Sequence, residues 1–256
     1  MPACGVNNFN SMKDNFSKQA ARYATYRPVY PTALYEFILE QIQHRQLAWD
    51  CGTGNGQCAI ELSRYFEKVY ATDISQKQID HAPKADNIFY SVQPAESTHF
   101  PDSAFDLITV AQALHWFKFE AFYKEVTRVA KNGCIFTAWS YSLLNITPEI
   151  DELIKDYHFN TMHDYWDAER KYVDDGYSTL PFPFDHIDTP RFHISYQWTM
   201  RDLEGYLNTW SALQKFIEVN GYNPVPQLMS RINGFWRTGT MNINFPVHML
   251  MTRIQK

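Results

Sequence analysis

Asp50-Cys51-Gly52-Thr53-Gly54-Asn55-Gly56 is the stretch on which the reading of this chain turns. The chain has ten glycines, and three of them fall in this window. Without a Cβ, glycine adopts a positive φ freely and lets a ligand lie directly against the backbone. The largely apolar residues 46–49 lead into the window, and the helix-like residues 57–66 lead out of it. A strand, a glycine turn and a helix in that order open a nucleotide-type site in an α/β sheet.

Working outward, Pro28 and Pro31 hold the backbone before them extended, and Pro31 suits a first helical position. Leu34, Phe37, Ile38 and Ile42 then recur at helical spacing. A further short helix is expected within 16–24. Past the glycine turn, strands are expected at 68–72, 88–92, 105–111 and 134–139. A short helix starts at Ser75 and stops at Pro83. Another runs over 118–130, with Asn132-Gly133 as its stop. This alternation predicts a parallel sheet with right-handed crossovers. The rhythm ends after Ser140. Residues 141–190 show no clear period. A strand is expected at 191–199, a single helix over 203–219, another helix over 226–237 and a last strand at 247–254.

Composition narrows the function. A chain of 256 residues buries roughly 70–75% of the surface its unfolded form exposes, so one large domain is expected. Formal net charge is −5 with no densely basic window, which argues against a nucleic-acid partner. Cys4, Cys51, Cys58 and Cys134 match no zinc spacing and are read as free thiols in a reducing, cytoplasmic setting. No apolar run is long enough for a membrane span, and the first residues lack a signal-peptide pattern. The chain carries 7 Trp, 16 Tyr and 18 Phe. They crowd between 157 and 192, outside the regular βα part, which points to an aromatic-lined cap.

The chemistry lies at the strand ends. Asp50 and Asp73 close the first two strands, and a parallel sheet brings both to one edge. A carboxylate there accepts hydrogen bonds from the hydroxyls of a ribose. The spacing is G-x-G-x-G rather than the G-x-G-x-x-G of nicotinamide sites, and an acid stands beside the turn. That acid repels a pyrophosphate but favours an amino group or a sulfonium. S-adenosyl-L-methionine is therefore preferred over NAD as the cofactor.

With these residues in view, the chain resembles the class I S-adenosylmethionine-dependent methyltransferases of the small-molecule type 11 group. Residues 50–56 are similar to the family's first motif, and Asp73-Ile74 to its ribose-binding acid and adenine-packing residue. Ala95-Glu96 and residues 100–106 are similar to the segment lining the adenine. Ala111-Gln112-Ala113-Leu114-His115-Trp116-Phe117 resembles the loop after strand four, which faces methyl donor and acceptor. Residues 23–31, the His115-Trp116 pair and residues 207–211 resemble the trans-aconitate methyltransferase-like branch. The chain departs from the family at Lys131-Asn132-Gly133-Cys134, where Pro-Gly-Gly is usual.

The resemblance implies a seven-stranded, Rossmann-like α/β sheet with helices on both faces and a helical, aromatic-rich cap. Residues 16–140 would form the donor-binding core and 141–190 the cap insertion. Residues 191–256 would supply strands and cap helices completing the same domain. Arg27, Asp50, Gly52, Gly54, Gly56, Asp73, Ile74, Ala95, Glu96 and Gln112 are expected to bind the cofactor. His115 and Trp116 are the catalytic candidates, and Tyr23, Trp210 and Ser211 the candidates for substrate contact. The implied acceptor is a small molecule methylated on a carboxylate oxygen, with Arg170, Arg191 and Arg201 as possible cationic contacts. A hydroxyl or amine acceptor, or a non-catalytic cofactor-binding partner, are the alternatives. No metal and no nucleic acid are implied, and the protein is expected to act as a monomer or homodimer.

Overall fold

The computed structural model describes Tyr26 and residues 28–237 and 239–256. After α1 (Thr32–Glu40), strands and helices alternate: β1 (Leu47–Cys51), α2 (Gln57–Leu62), β2 (Lys68–Asp73), α3 (Gln76–Asp80) and β3 (Ile88–Val92). There follow β4 (Phe105–Ala111), α4 (Phe119–Val129) and β5 (Ala130–Tyr141). The helices α5 (Pro148–Asp156) and α6 (Arg170–Asp174) precede β6 (Phe192–Trp198). The chain continues through α7 (Met200–Leu207), α8 (Ser211–Asn220) and α9 (Val225–Asn233) to β7 (Met241–Arg253). The expected short helix within 16–24 lies outside the described residues.

The seven strands form one sheet in the order β3-β2-β1-β4-β5-β7-β6. β1 pairs in parallel with both β2 and β4, so strand order reverses between β1 and β4. A crevice opens at the carboxyl ends of strands at such a reversal. The expected antiparallel tail is present: β7 pairs antiparallel with β5 and with β6. β7 begins well before 247, at Met241, because its first half pairs with β6, and Pro246 lies past the last β5 pair, Tyr141↔Val247. Its carbonyl accepts from Ser142 N at 3.0 Å. Its ring nitrogen faces the same side, so the missing N–H forfeits only the reciprocal bond to Ser142, just past β5, and removes none to β6.

β5 is buried on both faces, and its side chains sort by alternation. Ile135 and Trp139 join the apolar cluster under α1 and the C-terminal cap; Cys134, Phe136 and Ala138 join the cluster under α4. Trp139 meets the edge of Tyr30 at 5.5 Å between ring centres, and Phe136 stacks on Phe182 at 5.8 Å. Such aromatic pairs add about 0.5–1.5 kcal/mol beyond the area they bury.

Three expectations on the elements are corrected. Asn132-Gly133 does not stop α4. The helix ends at Val129, and Gly133, at φ 85, sits inside β5. There the register slips from Phe105↔Ala130 to Leu107↔Ile135, so the glycine serves a bulge. Residues 141–190 are not irregular throughout. Thr147 Oγ1 caps α5 by accepting from Ile150 N, and Pro148 occupies its first turn. Finally, 203–219 is two helices. The first starts on a capping box between Thr199 and Asp202, and the chain breaks at Asn208-Thr209-Trp210 before α8.

Candidate active site

Gly52, Gly54 and Gly56 take φ of 68°, 55° and 79°, in the left-handed region. A Cβ on Gly52 would lie 2.7 Å from Ala113 Cβ, so the turn after β1 packs directly on the loop after β4. Asp73, at the end of β2, holds this turn. Its Oδ2 accepts from Gly54 N at 2.8 Å and its Oδ1 from Ser75 N at 2.9 Å. Ser75 Oγ accepts from Gln78 N and starts α3, as expected.

Asp50 is placed differently from the expectation. It is fully buried behind the turn and does not line the cleft. Thr53 Oγ1 donates to its Oδ2 at 2.5 Å, and Thr109 Oγ1 donates to its Oδ1 at 2.9 Å. Burial pushes its carboxyl up from 3.8 to about 6, against the two hydroxyl bonds that favour the anion. Asp50 thus pins β1, the turn and β4 together.

In front of the turn lies a cleft of about 640 Å³. Gly52, Gly54, Asp73, Ile74 and Ala95 line one end, and Ile74 is 40% exposed. Gln112, His115 and Trp116 form its wall, and Trp210 and Ser211 reach it from the cap. Gly56 and Glu96 do not line it. Gly56 precedes α2, and Glu96 Oε1 instead accepts from Lys118 N at 2.9 Å. Arg27 and Tyr23 lie outside the described residues.

Gln112, at φ 57°, is one of few non-glycine residues described with a positive φ. Its amide closes on one backbone unit: Tyr141 N donates to Oε1 at 2.9 Å, and Nε2 donates to Tyr141 O at 3.4 Å. The strained residue thereby ties the carboxyl ends of β4 and β5 beside the cleft. His115 and Trp116 sit in a single 3₁₀ turn, Leu114–Trp116, with ring centres 4.9 Å apart. His115 is 5% exposed, and its Nδ1 meets Tyr177 OH at 3.1 Å.

The far end of the cleft is aromatic and carries charge. Trp166 and Trp210 approach to 5.4 Å, and the Arg170 guanidinium lies 4.8 Å over the Trp166 ring. Arg170 Nε donates to Asp174 Oδ1 at 2.9 Å, and His158 Nε2 meets the same oxygen at 3.1 Å. Burial keeps His158 below its ordinary range and so uncharged at neutral pH; Nε2–H is then the donor to Asp174. Burial alone would raise Asp174, but His158 and the Arg170 charge outweigh it and hold the carboxyl below its usual range. His158 lies on a wide turn at Tyr157–Thr161, wound looser than an α-helix. Of the three arginines considered, Arg170 lines the cleft, whereas Arg191 and Arg201 do not.

Sequence reasoning missed Trp166, Asp174 and Tyr177. The aromatic density of 157–192 signalled the region, but no spacing singled out these residues.

A sheet in this order, with a glycine turn at its reversal and an acid closing the neighbouring strand, defines a Rossmann-like transferase of the class I methyltransferase type. A family profile described as a methyltransferase domain matches residues 49–138. Over 249 residues the chain is 33% identical to a candidate methyltransferase of Dictyostelium discoideum, covering 94% of this chain and 95% of that one. The solved structure of a candidate type II methyltransferase from Anaeromyxobacter dehalogenans is similar at TM-score 0.83 and 35% identity, over 90% of this chain and 99% of that one. The YcgJ protein of Bacillus subtilis, at TM-score 0.53 and 17% identity over 88% of this chain and 100% of that one, shares the fold. The chain belongs to the class I S-adenosylmethionine-dependent methyltransferase family.

Proposed function

We propose that the protein transfers the methyl group of S-adenosyl-L-methionine to a carboxylate oxygen of a small-molecule acceptor. The observation that carries this reading is the Arg170 guanidinium at the cap end of the cleft. Nε is committed to Asp174 and the plane faces Trp166, while its two Nη groups hydrogen-bond to no described residue. A planar cation presented in this way matches the paired oxygens of a carboxylate.

The opposite end fits the cofactor. A Cβ would obstruct the turn at Gly52, and Asp73 brings a carboxylate to the cleft beside the exposed Ile74. In this reading Asp73 accepts from the ribose hydroxyls, Ile74 and Ala95 pack on the adenine, and Gly52, Gly54 and Gln112 border the methionine part. Asp50, Gly56 and Glu96 act behind these residues by holding the turn and the loops. His115, Trp116, Trp210 and Ser211 surround the acceptor. Arg27 and Tyr23 are proposed to approach the methionine part from the N-terminal segment.

When bound, the sulfonium supplies an activated methyl group. The chain's own contribution is alignment and exclusion of water. Alignment is worth roughly 7–11 kcal/mol in the best cases. The aromatic cap at Trp166 and Trp210 keeps water from competing for the methyl. Residues 16–140 supply the donor half, 141–190 the cap, and 191–256 the strands and helices that complete the domain. We assign the protein to the cytoplasm as a monomer or homodimer; the buried free thiols Cys51, Cys58 and Cys134 support a reducing compartment.

Methyl transfer from labelled donor should be measured against a panel of small carboxylic acids, phenols and amines. Turnover is expected with acids. Turnover confined to phenols or amines would replace the acceptor class, and no turnover with any, despite donor binding, would favour a non-catalytic partner protein.

A further inference from the structure

His158 has no part in the roles above, and it does not line the cleft. Its side chain is fully buried on the loose turn Tyr157–Thr161. Such turns recur at functional sites. The imidazole is clamped by ring contacts, with Trp166 4.8 Å and Trp210 5.4 Å from its centre. Trp166 Nε1 also donates to the His158 carbonyl at 3.2 Å. The clamp leaves Nε2 facing Asp174, while the buried Nδ1 has no hydrogen-bond partner among the described residues. A residue needed only for packing here would be apolar, since an unpaired buried nitrogen is destabilising. What the imidazole adds is the Nε2–H on Asp174.

That bond bears on Arg170. A guanidinium and a carboxylate commonly pair through a fork of two parallel bonds. Here the pair is joined at one point. Arg170 Nε donates to Asp174 Oδ1 at 2.9 Å, and His158 Nε2 shares the same oxygen at 3.1 Å. A fork would engage Asp174 Oδ2 with one Nη and withdraw that Nη from the cleft. With His158 on Oδ1, the carboxylate is not free to turn into the fork. The Trp166 ring, 4.8 Å from the guanidinium carbon, supports the same pose.

We propose that His158 is a positioning residue: it restrains Asp174 to a one-point contact with Arg170 and so leaves both Nη groups for the acceptor. Its effect on the acceptor rests on the carboxylate reading above; the restraint itself does not. A planar cation with two open Nη groups matches both oxygens of a carboxylate, whereas one drawn into a fork with Asp174 offers only its remaining edge.

Spectra of the full chain labelled with ¹⁵N-arginine and ¹⁵N-histidine read the restraint with no ligand present. Arg170 is assigned by the signals lost in Arg170→Lys, and His158 by those lost in His158→Gln. In the wild type, His158 should carry its hydrogen on Nε2, and both Arg170 Nη groups should rotate freely. In His158→Leu one Nη should rotate slowly as the fork forms. His158→Gln, whose amide still donates to Asp174, should restore the wild-type pattern. Calorimetry with benzoate, on protein saturated with S-adenosylhomocysteine, reads the consequence, with uncharged benzamide as the control. His158→Leu should weaken benzoate at least about fivefold and leave benzamide and S-adenosylhomocysteine unchanged, while His158→Gln keeps most of the affinity. A wild-type hydrogen on Nδ1, an Nη already hindered in the wild type, or unchanged Arg170 signals in His158→Leu overturns the proposal. Equal binding of benzoate and benzamide by the wild type overturns the carboxylate reading instead, and the Arg170 spectra then decide the restraint alone. Should His158→Leu fail to fold, the wild-type spectra decide it.

Discussion

The two ends of the cleft are held by different kinds of contact. At the glycine-turn end, the fixed groups are backbone amides and short acids at the ends of adjacent strands: Gly54 N and Ser75 N on Asp73, Thr53 and Thr109 on Asp50. At the cap end, the fixed groups are large side chains from segments far apart in sequence, with Trp166 against Trp210 and Arg170 against Asp174 and His158. The first arrangement tolerates almost no added atom. The second is a packed aromatic layer in which each side chain has some freedom to adjust. In the function proposed here, binding of a cofactor common to a large family falls to the rigid end, and discrimination among acceptors to the adjustable one.

Substitutions can break that contrast. The largest effect is expected for Gly52→Val. A left-handed conformation costs a residue with a Cβ about 1–2 kcal/mol. Crowding against Ala113 adds about 1–3 kcal/mol. Together these approach about 4 kcal/mol; a turn that relaxes to escape them gives up its donor-binding geometry and with it up to about a thousandfold in donor affinity by calorimetry. Near-normal binding would mean that the turn is as adjustable as the cap.

Asp50 tests the same end through pH. Between 3.8 and about 6, folded Asp50 keeps a proton that the unfolded chain has released. Its contribution to stability is therefore greatest below 3.8 and declines as pH rises to about 6. The whole change is about 3 kcal/mol. Asp50→Asn abolishes that decline. Its stability relative to wild type should rise by up to this amount from about pH 4 to about pH 8, as read by denaturant unfolding. Parallel pH curves for the two proteins would detach Asp50 from the titration.

Asp73→Ala should weaken donor binding at least about tenfold, near 1.4 kcal/mol, for lost charged hydrogen bonds. Asp73→Asn, which can still accept from Gly54 N, should keep the turn and separate its support from donor contact. The mildest change is expected at the cap. Arg170→Lys should raise KM for a carboxylic acid several-fold, roughly 1 kcal/mol, because a point charge replaces a planar fork. Donor affinity should not move. If it falls alongside KM, the two ends are coupled rather than distinct.

Much of the sheet was legible in the sequence. The expected 88–92 and 105–111 coincide with β3 and β4, and strand β1 and helix α4 fall within a residue or so of their expected bounds. For β4 and α4 local pattern suffices, because a strand buried between helices must be apolar and a helix over it must be one-sided. The cap was less legible. Helical periodicity ran straight through Asn208-Thr209-Trp210, where the chain breaks and Trp210 enters the cleft. Gly133 read as a helix stop but serves a bulge, since positive φ suits both.

By itself, then, the sequence determined the order of the seven strands and of the helices between the first five, the glycine turn and the acid that holds it. These depend on residues adjacent in the chain or on the invariable geometry of a parallel sheet. Only the tertiary structure decided that Asp50 lies behind the turn rather than in the cleft, that Arg170 and not Arg191 or Arg201 faces it, and that Tyr177 reaches His115. The reason is that side-chain direction and burial depend on contacts between segments far apart in the chain, and no local spacing encodes those.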